Sequence, residues 1–163
     1  MDDKGLMLRK HGIVFNAKPD AVPYNYRISY KVSQLCLIMS TCSRQGSCSL
    51  IKLHMISYAL CSTKGMDKLA GFTESKITEA PIVRFDPSVN RALLFAIADG
   101  LIVQQKTGTY KLTVKGRALT VAIENDPTVM VVEKADLSLL EKKLTEEKIK
   151  QLSELWRGIY VKD

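Results

Sequence analysis

Two histidines, His11 and His54, and four cysteines, Cys36, Cys42, Cys48 and Cys61, are the side chains of this 163-residue chain best suited to catalysis or metal binding. A general base must stand beside a nucleophile or a substrate proton. His54 instead lies in the apolar run SLIKLHMISYAL, where a hydrogen-bonded packing role fits it better. No two cysteines stand in C-x-x-C spacing, and only His54 lies among them, which is poor provision for zinc. Free thiols serving as small apolar side chains are the expected state, since a disulfide is unusual in the cytosol. Asp99, Glu124 and Asp126 could offer oxygen to a metal, but helix ends account for all three. The stretch Ser62-Thr63-Lys64-Gly65 has the letters of a phosphate-binding loop in the wrong order. G-x-S-x-G, H-E-x-x-H and a dinucleotide fingerprint are absent. These residues point to a chain that is not an enzyme and needs no cofactor or metal.

The remaining chemistry is cationic. Arg91, Lys106, Lys111, Lys115 and Arg117 could contact nucleic-acid phosphates without reading sequence. The elements that must position them run from Asp86 to Asn125. Asp86 is a potential N-cap, and Pro87 suits a first helical position, where its missing N–H costs nothing. Leu93, Leu94, Ile97 and Leu101 recur at helical spacing, and Gly100 is placed to end that helix. Leu101 to Lys106 and Thr109 to Thr113 read as two strands joined through Thr107-Gly108. Thr113 can cap a further helix whose apolar positions are Val114, Leu119, Val121, Ala122 and Ile123. Helix, hairpin, helix is similar to the wing half of a winged helix-turn-helix domain. In such a domain the helix before the wing reads bases through Arg, Lys, Asn or Gln. Here that helix offers Ser88, Asn90, Arg91 and Asp99, a single cation, so base reading is poorly provided for.

Length, 46% hydrophobic content and a formal charge of +7 describe one globular domain with a short appendage, mildly basic and compatible with a nucleic-acid partner. Residues 1–80 carry most of the positive excess, so the wing half is not the more basic half. Neither a signal peptide nor a run of apolar residues long enough to span a membrane is evident, so a cytoplasmic protein is expected. Residues 1–27 read as an N-terminal arm, with a short strand over Gly12 to Asn16 and tyrosines 24, 26 and 30 as packing anchors. Helices are expected over Tyr30 to Cys42 and Ser49 to Leu60, the second capped by Ser47 or Ser49. Both are apolar on more than one face, which calls for a central core position or a partner protein. Between Ser62 and Phe85 only Met66, Leu69 and Phe72 hint at a helical turn or two. Ile82 to Phe85 reads as a short strand. After Asn125, Asp136 can cap a short helix, and Thr145 a last one with Leu144 and Ile149 as a hydrophobic staple. Its stripe is Ile149, Leu152, Trp156 and Ile159. The fold class is mostly α with a small β-hairpin. A winged helix-turn-helix-like domain over 28–125 is followed by C-terminal helices over 126–163.

Three blocks carry a wider resemblance: YRISYKVSQLCLIMSTCSRQGSCSLIKLHMISYAL, VNRALLFAIADGLI and YKLTVKGRALTVAIENDPTVMVVEKADLSLLEKKLTEEKIKQL. Over about residues 26–155 the chain resembles the middle component of bacterial ABC-three-component systems, which include the Lamassu-type antiphage systems. The resemblance implies a non-enzymatic adaptor in a hetero-oligomer. It would bridge an SMC-like coiled-coil ATPase and an effector nuclease, in a complex that senses DNA, with contact to double-stranded DNA that does not depend on sequence. Its partner-binding surfaces would include the first two helices and the last, with Leu50, Leu53, Tyr58, Leu152 and Trp156 as contacts. The runner-up is a dimeric winged-helix transcription regulator binding operator DNA. A third reading is an antitoxin-like inhibitor of a neighbouring toxic product.

Overall fold

The computed structural model describes residues 23–24, 27–76 and 83–160, the side chains of 158–160 excepted. The described residues are mostly helical, with a small three-stranded antiparallel sheet, an arrangement compatible with a winged-helix-like fold. In chain order they form α1 (Ile28–Cys42), a 3-10 turn (Arg44–Gly46), β1 (Ser47–Cys48), α2 (Leu50–Ala59), α3 (Thr63–Thr73) and α4 (Pro87–Ala98). Then come β2 (Ile102–Gln104), β3 (Tyr110–Leu112), α5 (Val114–Asn125), α6 (Val131–Leu140) and α7 (Glu146–Tyr160). The expected arm and its strand fall outside the described residues, apart from Pro23, Tyr24 and Arg27. Tyr24 sets its ring edge-on against Tyr30, centroids 5.0 Å apart.

Four of the expected caps form. The Ser49 hydroxyl accepts from Lys52 N–H, Asp86 from Ser88 N–H, Thr113 from Gly116 N–H and Thr145 from Lys148 N–H. Pro87 begins α4, and Gly100, at φ 73°, turns the chain out of it into β2. The hairpin strands are shorter than expected, three residues each. Gln105 C=O accepts from Gly108 N–H, and Gly108 sits at φ 81°, which lets a short turn close the wing. β1 pairs with β3 on the side away from β2. Ile102 and Leu112 are paired and buried on the core side, while Val103, Lys111 and Ser47 line up on the other face.

α1 occupies the centre. It packs against α2, α4, α5 and α6, and Leu35, Cys36, Leu37, Ile38, Met39 and Cys42 are all buried. Neighbours within the chain therefore account for its excess of apolar faces. The same holds for α2, which lies against α1, α3, α4 and α7. Leu137, Leu140, Leu144, Ile149 and Leu152 from the C-terminal part join this one core. Leu144 and Ile149 are both buried, as the staple requires.

Four expectations are corrected. Residues 83–86 form no strand, and Phe85 is exposed against the His54 ring; Ile82 lies outside the described residues. The region of Met66, Leu69 and Phe72 is a full helix, α3, capped by the Ser62 hydroxyl. In α5 the positions facing the core are Gly116, Thr120 and Ile123, whereas Val114, Val121 and Ala122 are exposed. A Cβ at Gly116 would stand 2.1 Å from Leu101 C=O, so α5 can approach the base of the wing only with glycine there. Finally, Asp136 lies inside α6 rather than capping it. That helix starts after Met130, held at φ 49°, and Lys134 Nζ donates to the carbonyls of Ile123 and Asp126 at the end of α5.

Candidate functional site

α4 is the helix a winged-helix domain turns outward. Its buried side is Val89, Ala92, Leu93 and Ala96. The opposite side carries Pro87, Arg91, Leu94, Phe95 and Ala98, all exposed and at helical spacing of three, four and seven. Leu94 is 69% exposed and Phe95 56%. Leu94 was expected in the inward stripe. With apolar residues at both 93 and 94 the helix has two plausible phases, and two alanines, Ala92 and Ala96, make the true inner face inconspicuous. Their small size lets α4 lie close against α1. The result is an outward ridge with two large apolar side chains at its middle and one cation, Arg91.

The five basic residues singled out from the sequence are spread over separate elements. Arg91 is on α4, Lys106 in the wing turn, Lys111 on the outer face of β3, and Lys115 and Arg117 in the first turn of α5. Lys115 reaches back to the end of α4, with Nζ 3.2 Å from Asp99 Oδ1 and 2.7 Å from Asp99 C=O. It neutralises a helix C-terminus there. Arg117 lies roughly 200° further round α5 and cannot join it on one side. Arg91, Lys106, Lys111 and Arg117 form no ion pair with any described residue.

The proposed partner contacts divide. Leu53 and Leu152 belong to the core and are unavailable to a partner. Their apolarity marked them out, but in α2 and α7 apolarity serves internal packing. Leu50 is half-buried, Trp156 packs partly against the core, and Tyr58 is exposed.

Beneath the N-terminus of α4 lies a polar network that the sequence did not reveal. Lys31, 1% exposed, donates to Gln34 Oε1 at 3.2 Å and Ser57 Oγ at 3.1 Å, and stands 3.8 Å from Asp86 Oδ2. Ser57 Oγ also donates to Gln34 Oε1 at 2.8 Å. Tyr30 donates to Glu133 on α6, and burial together with that bond pushes its phenol pKa up. Burial lowers the Lys31 amine pKa, a shift that Asp86 partly opposes. Burial would raise the Asp86 carboxyl, but its bonds from Ser88 and the charges of Lys31 and His54 hold it below the usual range. His54 is the hydrogen-bonded packing residue expected. Nδ1 accepts from Asp86 N–H at 3.2 Å, which leaves Nε2–H to donate to Asn90 Oδ1 at 3.1 Å. Burial lowers its pKa. Lys31 and His54 thus fix where α4 begins.

A second buried lysine, Lys52, 3% exposed, makes no side-chain hydrogen bond or ion pair among the described residues. Burial lowers its pKa, and Glu146 opposes the shift. Cys42 and Cys48 lie near it with thiol pKa values pushed up to about 12 by burial. Cys36, Cys42 and Cys48 are buried free thiols and Cys61 an exposed one. Among the described residues no three His, Cys, Asp or Glu side chains stand close enough to hold a metal ion. None of the helices there is long and apolar enough to cross a membrane. No protein-family model, curated protein or solved structure matches the chain.

Proposed function

We propose that this chain is a non-enzymatic adaptor subunit of a cytoplasmic antiphage complex, bridging an SMC-like coiled-coil ATPase and an effector nuclease. The observation that supports it best is the outward ridge of α4. A helix that reads bases puts hydrogen-bonding side chains where Leu94 and Phe95 stand. Exposing two large apolar side chains on a rigid, well-capped helix is instead the mark of a protein contact. The resemblance across residues 26–155 to the middle component of ABC-three-component systems supplies the kind of partner. Lys106, Lys111 and Arg117 add contact with double-stranded DNA that depends on charge rather than sequence.

The test is purification of the tagged chain from its whole native operon. A large coiled-coil ATPase in fixed proportion is the expected result. Recovery of the chain alone, or as a homodimer, overturns the adaptor. In that case an operator-binding regulator would have to prefer its own promoter to random DNA by ~10³ or more.

A further inference from the structure

Over residues 83–117 the only acidic side chains are Asp86 and Asp99, and both are engaged, Asp86 by Ser88 and Lys31 and Asp99 by Lys115. Over the same residues Arg84, Arg91, Lys106, Lys111 and Arg117 form no ion pair with any described residue. The apolar centre of the α4 ridge therefore has the cation Arg91 one turn away on its own helix and no unengaged carboxylate within residues 83–117. We infer that the ridge docks an acidic amphipathic helix of another protein, with Leu94 and Phe95 against its apolar stripe and Arg84 and Arg91 facing its carboxylates. This rests on the adaptor reading for the identity of the protein, but its chemistry comes from the ridge itself.

Three observations select this occupant. α4 is twelve residues long, about 18 Å, and its side chains at 91, 94, 95 and 98 form a straight ridge of the kind that fits the groove of another helix. A second copy of the chain would bring two cationic faces together with no free acid between 83 and 117 to offset them, and like charges across an interface cost affinity. A nucleic-acid backbone would have to lose water against Leu94 and Phe95 with no donor in return. A helix with Glu or Asp flanking Leu or Ile meets both requirements at once. Arg91 would set its direction, because it lies toward one end of the ridge and Ala98 toward the other.

The test places a photoreactive benzoylphenylalanine at position 94 of the full chain, expressed with its whole operon. Irradiation is followed by sequencing of the crosslinked peptide. The expected product is a helical segment bearing carboxylates beside an apolar stripe. Crosslinks to DNA, to a second copy or to a segment without acidic residues overturn the inference, as does the absence of any crosslink. The double variant Arg84→Glu, Arg91→Glu should bind a synthetic peptide of that segment about tenfold or more weakly, with unchanged circular dichroism. Unchanged affinity also overturns it. If the ATPase co-purifies but position 94 crosslinks to no acidic helix, the docking surface fails and the adaptor stands. If no ATPase co-purifies yet an acidic helix is crosslinked, the surface stands and the adaptor fails.

Discussion

Lys31 and Lys52 are two buried amines in one core, and they should respond oppositely to removal. Lys31 satisfies Gln34 and Ser57 and faces Asp86. Lys31→Met leaves those oxygens and a carboxylate behind, at an expected cost of roughly 1–3 kcal/mol in denaturant unfolding. Lys52 satisfies no described acceptor, so Lys52→Met should leave stability unchanged or raise it, because a buried charge is replaced by a side chain of similar shape. His54 adds a pH dependence. Its folded pKa lies below the free value of 6.5, so the unfolded chain takes up the proton first. Its contribution is present above about pH 6.5 and is lost as pH falls below that, toward the folded pKa. The Asp86 carboxyl, with a lowered pKa, acts in a separate window below about pH 4. Unfolding midpoints should therefore drop between pH 7 and pH 5, and His54→Asn should flatten that drop. The packing role of His54 and the cap at Asp86 were legible in the sequence, but the internal place of Lys31 was not. Lysine is a residue of surfaces by type, and what makes Lys31 internal is the crossing of α1, α2 and α4, which no local pattern encodes.

At the scale of elements, legibility followed local chemistry. Asp86-Pro87, Ser49, Thr113, Thr145 and Gly100 are signals contained within a few residues, and each helix end they mark stands where they put it. The start of α6 is misplaced at Asp136 by the sequence because its first residue follows Met130, whose side chain caps nothing. β1 escaped because two residues carry no alternation, and its pairing with β3 is a tertiary fact. At the other end of α6, Glu141 sits at φ 45° and ψ −135°, a backbone region open essentially only to glycine. Glu141→Gly should raise stability by about 1 kcal/mol, the relief of strain exceeding the added freedom of the unfolded chain. A midpoint that falls instead would show that the Glu141 backbone is not strained.

Across the whole molecule, one core joins the winged-helix part to the C-terminal helices, so both should unfold together. The cysteines can report it. Cys61 is exposed at the end of α2, while Cys36, Cys42 and Cys48 lie in the core with thiolates disfavoured by burial. A thiol reagent at neutral pH should modify Cys61 rapidly and the other three slowly, at one shared rate set by opening of the core. Separate rates for Cys36 and Cys48 would mean that the two opened independently. The candidate surface was only half legible for a related reason. Apolarity names residues that want cover but not whether the chain itself supplies it, so it marks Leu53 and Leu152 no less than Leu94 and Phe95. Only the packing of α4 on α1 decides which side of that helix is left bare.

The central place of α1 also has a consequence in time. It is the earliest described helix to leave the ribosome, while α4, α5 and α6, which cover it, are made later. At roughly 5–20 residues per second, α1 waits several seconds for α4 with the side that α4 covers in water. Through that interval the nascent chain is a substrate for chaperones, and its yield should depend on how quickly translation carries the ribosome past Ala98.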